Sequence, residues 1–277
     1  MGSQIIGFTD WFKTPPGEYL LAWERERFDQ AVADMFGYHA LQLGLPELDA
    51  LRGNRMPHKW LALQGGVDAG LSGNLPSPAA NDDVTRASAT SSPRVALLTD
   101  SAALPFPESS LDLVLLPHTL ELSRDPHATL REVERVLVPE GRVVISGLNP
   151  ASLWGLRQRR AHFYRRLGYG KPFLPEAGEF IGYWRLRDWL RLLSFEVESG
   201  QFGCYRPAVS SRVSLERFPW MDKMGERWWP IFGALYFLVA VKRVRGMRLL
   251  ESNWKAQKAT ATAPAVIANQ VRRPDSF

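Results

Sequence analysis

Residues 100–145, DSAALPFPESSLDLVLLPHTLELSRDPHATLREVERVLVPEGRVVI, restrict the fold more than any other part of the chain. A polar turn, an apolar run, an amphipathic segment and a second apolar run follow one another with no spacer between them. Leu111, Leu113, Val114, Leu115 and Leu116 are interrupted by one charge, Asp112, the pattern of a strand covered on both faces of a parallel sheet. Pro126 opens a helix at a first-turn position, where its missing N–H costs no hydrogen bond. Leu130, Val133, Val136 and Leu137 fall on one side of that helix, and Pro139 and Gly141 are expected to end it before a second strand at 142–145. Parallel strands joined through a helix cross over right-handedly in nearly every case, so this block sets an α/β unit whose strand ends can carry a pocket.

The order Asp-Ser-Ala-x-Leu-Pro-Phe-Pro-x-x-Ser-x-Asp-x-Val at 100–114, His-x-Leu-Glu at 118–121 and Leu-Arg-Glu-x-x-Arg-Val-Leu-x-Pro-x-Gly-Arg-x-Val-Ile at 130–145 resembles the second half of the class I S-adenosylmethionine-dependent methyltransferase core. The resemblance is strongest to the small-molecule branch often labelled type 11. It implies a Rossmann-like α/β fold: a seven-stranded, mostly parallel sheet with its last strand antiparallel and helices on both faces. It also implies S-adenosylmethionine as cofactor and a small-molecule methyl acceptor.

Patterns elsewhere supply the remaining elements. Thr14 can cap a helix that starts with Pro15 and Pro16 and runs to a stop at Gly37, with Leu20, Leu21, Trp23, Phe28, Ala31, Val32 and Phe36 as its apolar side. Strands are expected at 38–43, 58–64, 94–99 and 194–202, and an amphipathic helix at 183–193 with Trp184, Leu186, Trp189, Leu190 and Leu193 inward. The most apolar run, 229–241, falls short of the roughly 20 residues a membrane span needs and is read as a buried strand. Within it, 231–243 resembles the family's closing antiparallel strand. These boundaries divide the chain into an N-terminal helical cap at 1–37, a methyltransferase-like domain at 38–250 and a disordered basic tail at 251–277. A Gly/Ser/Pro-rich mobile insertion at 65–93 and a substrate-side insertion at 151–182 interrupt the domain.

In doubly wound sheets the ligand lies outside the carboxyl ends of the strands. By resemblance, the cofactor-binding positions are Gly44 after the first strand, Asp100 and Ser101 on the adenine side, and Pro117 and His118 on the methionine side. His118 is also the candidate catalytic base, since an unperturbed imidazole titrates near neutrality. The family's Asp-x-Gly-x-Gly-x-Gly turn reads Gln42-Leu43-Gly44-Leu45-Pro46-Glu47-Leu48 here, and no acid ends the second strand, Asp68 being the nearest. Two readings therefore stand: a methyltransferase acting on a small, apolar or anionic acceptor, and a methyltransferase-like binding or regulatory protein that has lost cofactor affinity. Glu121 is expected to cap or pair on the surface.

With 277 residues, 45% of them apolar, the chain can bury one good-sized core. Its single cysteine, Cys204, excludes an internal disulfide framework and a thiolate metal cluster, and points to a cytoplasmic setting. No signal peptide, transmembrane segment or metal site is expected. The net charge of +5 is concentrated at 155–171, which contains no acid, and at 242–250. Such patches attract anionic or membrane surfaces, while nucleic acid is not an expected partner because its usual binding motifs are absent. Trp154, Tyr164, Phe173, Phe180, Tyr183, Trp184 and Trp189 crowd the region after the fifth strand, suggesting an apolar pocket or a membrane contact.

Overall fold

A computed structural model describes residues 8–64, 95–166, 173–175 and 178–243. The expected insertion at 65–93, Asp68, the tail at 251–277 and most of the basic run at 242–250 lie outside the described residues. Strands β1 (His39–Leu43), β2 (His58–Gln64), β3 (Val95–Thr99), β4 (Leu111–Pro117), β5 (Leu137–Leu148), β6 (Phe195–Gly203) and β7 (Leu235–Lys242) form one sheet in the order β3-β2-β1-β4-β5-β7-β6. Neighbouring strands run parallel except β7, which is antiparallel to both β5 and β6. The expected fold class, including the antiparallel closing strand, is therefore observed.

The helices are α1 (Phe8–Phe12), α2 (Pro15–Ala33), α3 (Thr119–Leu122), α4 (Pro126–Val136), α5 (Leu153–Arg166), α6 (Tyr183–Leu192), α7 (Arg212–Glu216) and α8 (Trp220–Trp228). On one face of the sheet, Leu20, Phe28 and Val32 of α2 pack with Leu113, Leu115, Phe237 and Val239, and the Phe28 and Phe237 rings meet edge to face at 4.9 Å. On the other, Leu130, Val133 and Val136 of α4 and Leu186 and Leu190 of α6 cover Val114, Leu116, Val143 and Ile145. Both faces are closed, which is why β4 and β7 read as almost unbroken apolar runs. Lys242 ends β7 by donating to the carbonyls of Glu134 (2.6 Å) and Leu137 (2.9 Å), tying the closing strand to the last turn of α4.

Several boundaries differ from expectation for identifiable reasons. α4 ends at Val136 and β5 starts at once, because Leu137 is already extended and pairs with Leu111; Pro139 and Gly141 fall inside β5. α2 ends at Ala33 rather than Gly37. Asn54 donates to Val32 O in its last turn at 2.9 Å and to Met35 O just beyond it at 3.1 Å, while Asp112 accepts the N–H groups of Tyr38 and His39. Phe36 is consequently exposed. In the run at 229–241 only the part from Leu235 is strand: Pro230 cannot donate to a ladder, and the residues around it form a short turn that leaves Trp229, Ile231 and Phe232 exposed. Trp184, expected inward on α6, is also exposed, whereas Trp154 and Phe173 belong to the core.

Candidate functional site

The strand order reverses between β1 and β4, so the crevice at their carboxyl ends is the topological switch point where ligands of such sheets bind. Gly44 stands on one side of it and α3 on the other. Gly44 has a left-handed φ of +72°, and a Cβ added there would meet only Thr119 Oγ1, at 3.5 Å. A glycine in this conformation leaves its backbone open to close approach. Thr119 Oγ1 donates to Leu43 O at 2.6 Å and so ties α3 to the end of β1.

Where the family carries an acid, Gln42 performs a task an ionised acid cannot. Its buried amide donates to the carbonyls of Leu45 (3.1 Å) and Leu48 (2.6 Å), and its oxygen accepts the N–H of Ala50 at 3.0 Å. Ionised carboxylates accept only. The connection from β1 to β2 contains turns and no helix; Gln42 of β1 holds its first half against the sheet, and Lys59 of β2 donates to the carbonyls of Leu51 and Asn54 in its second half. Leu45 takes a left-handed φ of 43° in this turn.

Across β2 from Gly44, Asp100 follows β3. Its carboxylate is exposed and Oδ1 accepts the N–H of Ala102 at 3.0 Å, an Asx turn that holds the side chain at the edge of the sheet. Ser101 turns away from this edge: it is buried, with Oγ 3.0 Å from Thr129 Oγ1 at the start of α4. Pro117 is the buried last residue of β4, paired with Ser146 of β5.

His118 begins α3 with a left-handed φ of 53°, a conformation that costs a non-glycine residue about 1–2 kcal/mol. Its ring is fully buried between two carboxylates: Nδ1 lies 2.8 Å from Glu121 Oε2 and Nε2 lies 3.1 Å from Glu24 Oε1. Phe12 covers it with ring centroids 5.6 Å apart. Glu121 Oε1 accepts the N–H of Leu148, so the carboxylate joins α3 to the end of β5. The expectation of a surface role for Glu121 is corrected: it is 1% exposed. Gly147 makes room for this arrangement, since a Cβ there would collide with the Tyr236 hydroxyl and lie 3.0 Å from Glu121 Oε1.

The electrostatics follow from burial. Desolvation, the largest single influence, pulls the His118 imidazole down, but the charges and hydrogen bonds of Glu24 and Glu121 together outweigh it and leave the pKa pushed up to about 10. For Glu121, burial pushes the carboxyl up against the opposing pull of His118 and the Leu148 N–H. Glu24 Oε2 is buried and has no hydrogen-bond partner among the described residues. Glu24 escaped the sequence reading although a signal was present. It lies between Leu20 and Phe28 at helical spacing, a charge in the middle of the buried stripe of α2.

The residues at the adenosine side fit the cofactor that the resemblance implies: an open glycine turn at Gly44 and an exposed carboxylate at Asp100. After β4, the position the resemblance gives to the methionine end is filled by the His118 ring and its carboxylates. Among the described residues no group of His, Cys, Asp or Glu is arranged to hold a metal ion, and no helix is long and apolar enough to cross a membrane.

Comparisons with known proteins agree with the fold. Residues 48–145 match the family described as "Methyltransferase domain". The uncharacterized protein YafS of Escherichia coli (strain K12) is 32% identical over 180 residues, covering 64% of this chain and 67% of that protein. A malonyl-[acyl-carrier protein] O-methyltransferase of Halorhodospira halophila is 40% identical over 58 residues, only 21% of this chain and 20% of the relative. Among solved structures, a chain from the complex between the Haloferax volcanii Trm112 methyltransferase activator and a methyltransferase superposes with a TM-score of 0.50 at 17% identity, covering 88% of this chain and 99% of that one. The strand order, the matched block and these relatives lead to one conclusion: the chain belongs to the class I S-adenosylmethionine-dependent methyltransferases, the family whose cofactor is S-adenosylmethionine.

Proposed function

We propose that this chain transfers a methyl group to a small acceptor at the carboxyl ends of β1 and β4, with Gly44 and Asp100 holding the adenosine part of the cofactor. The observation that carries the reading is the open, left-handed Gly44 turn at the switch point, with the exposed Asp100 carboxylate one strand beyond β2. Bound there, S-adenosylmethionine supplies a methyl group activated by its sulfonium. The task of the protein is then binding, orientation and exclusion of water.

In this reading His118 is a positioning residue. With a pKa near 10 it keeps its proton at neutral pH and is a poor general base. It holds Glu24 of α2 and Glu121 of α3 together, and through Glu121 it fixes the end of β5 beside the crevice. Ser101 and Pro117 shape the same edge from behind, through Thr129 and Ser146. The acceptor is a small molecule of apolar or anionic character.

A second reading has its own support. Gln42 in place of the acid, turns in place of a helix after β1, and a filled position after β4 are features of a methyltransferase-like binding protein without cofactor affinity. Calorimetric titration and thermal shift of the purified full chain with S-adenosylmethionine and S-adenosylhomocysteine separate the two. Measurable heat and a rise in Tm support methyl transfer. No heat and no shift at millimolar ligand would leave the binding-protein reading.

A further inference from the structure

We propose that the face formed by α8, the turn at 229–232 and the outer side of α5 docks on an anionic lipid bilayer. Three stretches at the carboxyl end of the sheet expose large apolar side chains. On α8, Trp220, Met224 and Trp228 are exposed at helical spacing, with Lys223 and Arg227 beside them. Directly after α8, Trp229, Ile231 and Phe232 are 54%, 44% and 52% exposed. On α5, Leu153, Leu156, Phe163 and Tyr164 are exposed and share their side of the helix with Arg157 and Arg160.

These side chains are presented by a braced scaffold. Asn149 donates to Ile231 O at 2.7 Å and Gly233 O at 2.9 Å, and Tyr205 Oη donates to Pro230 O at 2.9 Å. Trp154 of α5 donates to Arg206 O at 2.8 Å, and Arg206 pairs with Asp222 of α8 at 2.9 Å. The first turn of α5, the segment after β6, α8 and the turn before β7 are thus one hydrogen-bonded block. Topology places that block at the carboxyl end of the sheet, because it follows β5 and β6 and precedes the antiparallel β7.

Charge selects the occupant. The α5 sequence, LWGLRQRRAHFYRR, has five arginines and no acid. Of the two acids of α8, Asp222 pairs with Arg206 inside the block, and Glu226, itself exposed, lies 3.5 Å from Arg27. The exposed surface is aromatic and aliphatic side chains interleaved with more cations, among them Arg160, Lys223 and Arg227, than acids, of which Glu226 is exposed. Tryptophan favours the water–lipid boundary, where its ring is buried and its N–H stays wet. Basic side chains are drawn to an anionic leaflet, and a few of them together with inserted aromatics suffice for reversible binding. Protein–protein interfaces are also rich in aromatics, Met and Arg, so it is the excess of basic over acidic side chains, more than the apolar content, that favours an anionic bilayer. The docked face lies at the same end of the sheet as the switch-point crevice, and an amphiphilic acceptor could then be taken from the bilayer; that last step rests on the methyl-transfer reading, the docking itself does not.

Sedimentation of the full-chain protein with vesicles tests the docking. Vesicles of phosphatidylglycerol and phosphatidylcholine should carry the protein down at physiological salt, and vesicles of phosphatidylcholine alone should not. The double variant Trp228→Glu/Phe232→Glu should weaken binding at least tenfold, as should Lys223→Glu/Arg227→Glu. All four positions are exposed, so both variants should keep the wild-type Tm and the wild-type affinity for S-adenosylhomocysteine. Absence of wild-type binding overturns the proposal, as does binding that neither variant weakens. So does a wild-type dimer that Trp228→Glu/Phe232→Glu converts to monomer without any vesicle binding, which would assign the face to a second copy of the chain. Failure to bind S-adenosylhomocysteine with vesicle binding intact would count against the methyl-transfer reading and leave the docking standing.

Discussion

Asp100 after β3 and His118 after β4 occupy equivalent places in one sheet, yet their surroundings are opposite. Asp100 is exposed, makes a local turn contact and leaves its edge open. His118 is sealed under Phe12 and gripped by carboxylates from two helices. The carboxyl edge is thus divided between an open part and a braced part. The end of β3, the proposed adenine side, keeps an accessible acid, and the end of β4 is a junction joining α2, α3 and β5.

The largest effect should come from breaking the junction. His118→Asn keeps a residue that tolerates left-handed backbone but removes the imidazolium, leaving two buried carboxylates facing each other. Removing one partner of such a cluster costs about 3–5 kcal/mol, readable from urea unfolding. A loss below about 1 kcal/mol would mean that the charge at His118 contributes little. The junction should also give stability a pH signature. A folded-state pKa raised to about 10 stabilises fully below the ordinary imidazole value and is lost as pH rises through 10. Burial of Glu121 acts in the same direction. Wild-type Tm should therefore fall between about pH 6.5 and 10, and His118→Asn should lose the part of this slope that titrates with the imidazole and keep only that of the buried carboxylates.

A smaller effect is expected on the open side of the crevice, where the glycine turn depends on one amide. Gln42→Glu replaces a donor to the Leu45 and Leu48 carbonyls with a group that can only accept when ionised. Leaving those carbonyls unmet should cost about 1–3 kcal/mol by denaturant titration. Gln42→Ala should cost a similar amount. If Gln42→Glu is neutral, another group holds the turn.

The sequence is most transparent where packing alone decides structure. β2 was expected at 58–64 and is observed there, and the crossover at 111–145 is recovered because its strands are buried on both faces. Legibility fails where one long-range side chain overrides a local signal. Gly37 does not stop α2, since Asn54 and Asp112 end it from elsewhere in the chain. Trp184 looks like a core residue by spacing but lies on the exposed side of α6. In the candidate site, Gly44 and Asp100 could be placed at strand ends by order alone. The burial of His118 could not, because its partner Glu24 lies 94 residues earlier on a helix that approaches only after folding. Gln42 looked like the loss of an acid, and only the fold reveals it as a gain of three contacts to the turn backbone.

The smallest effect on stability should accompany the largest effect on binding, at Asp100. Its carboxylate is exposed and makes one local hydrogen bond, so Asp100→Ala should change unfolding free energy by no more than about 0.5–1 kcal/mol. Calorimetric titration of wild type and Asp100→Ala with S-adenosylhomocysteine is the most direct test of where the cofactor sits. Binding by wild type and at least tenfold weaker binding by the variant, at matched Tm, is the predicted result. Equal affinity in the two proteins would contradict the assignment of the adenosine site to the end of β3.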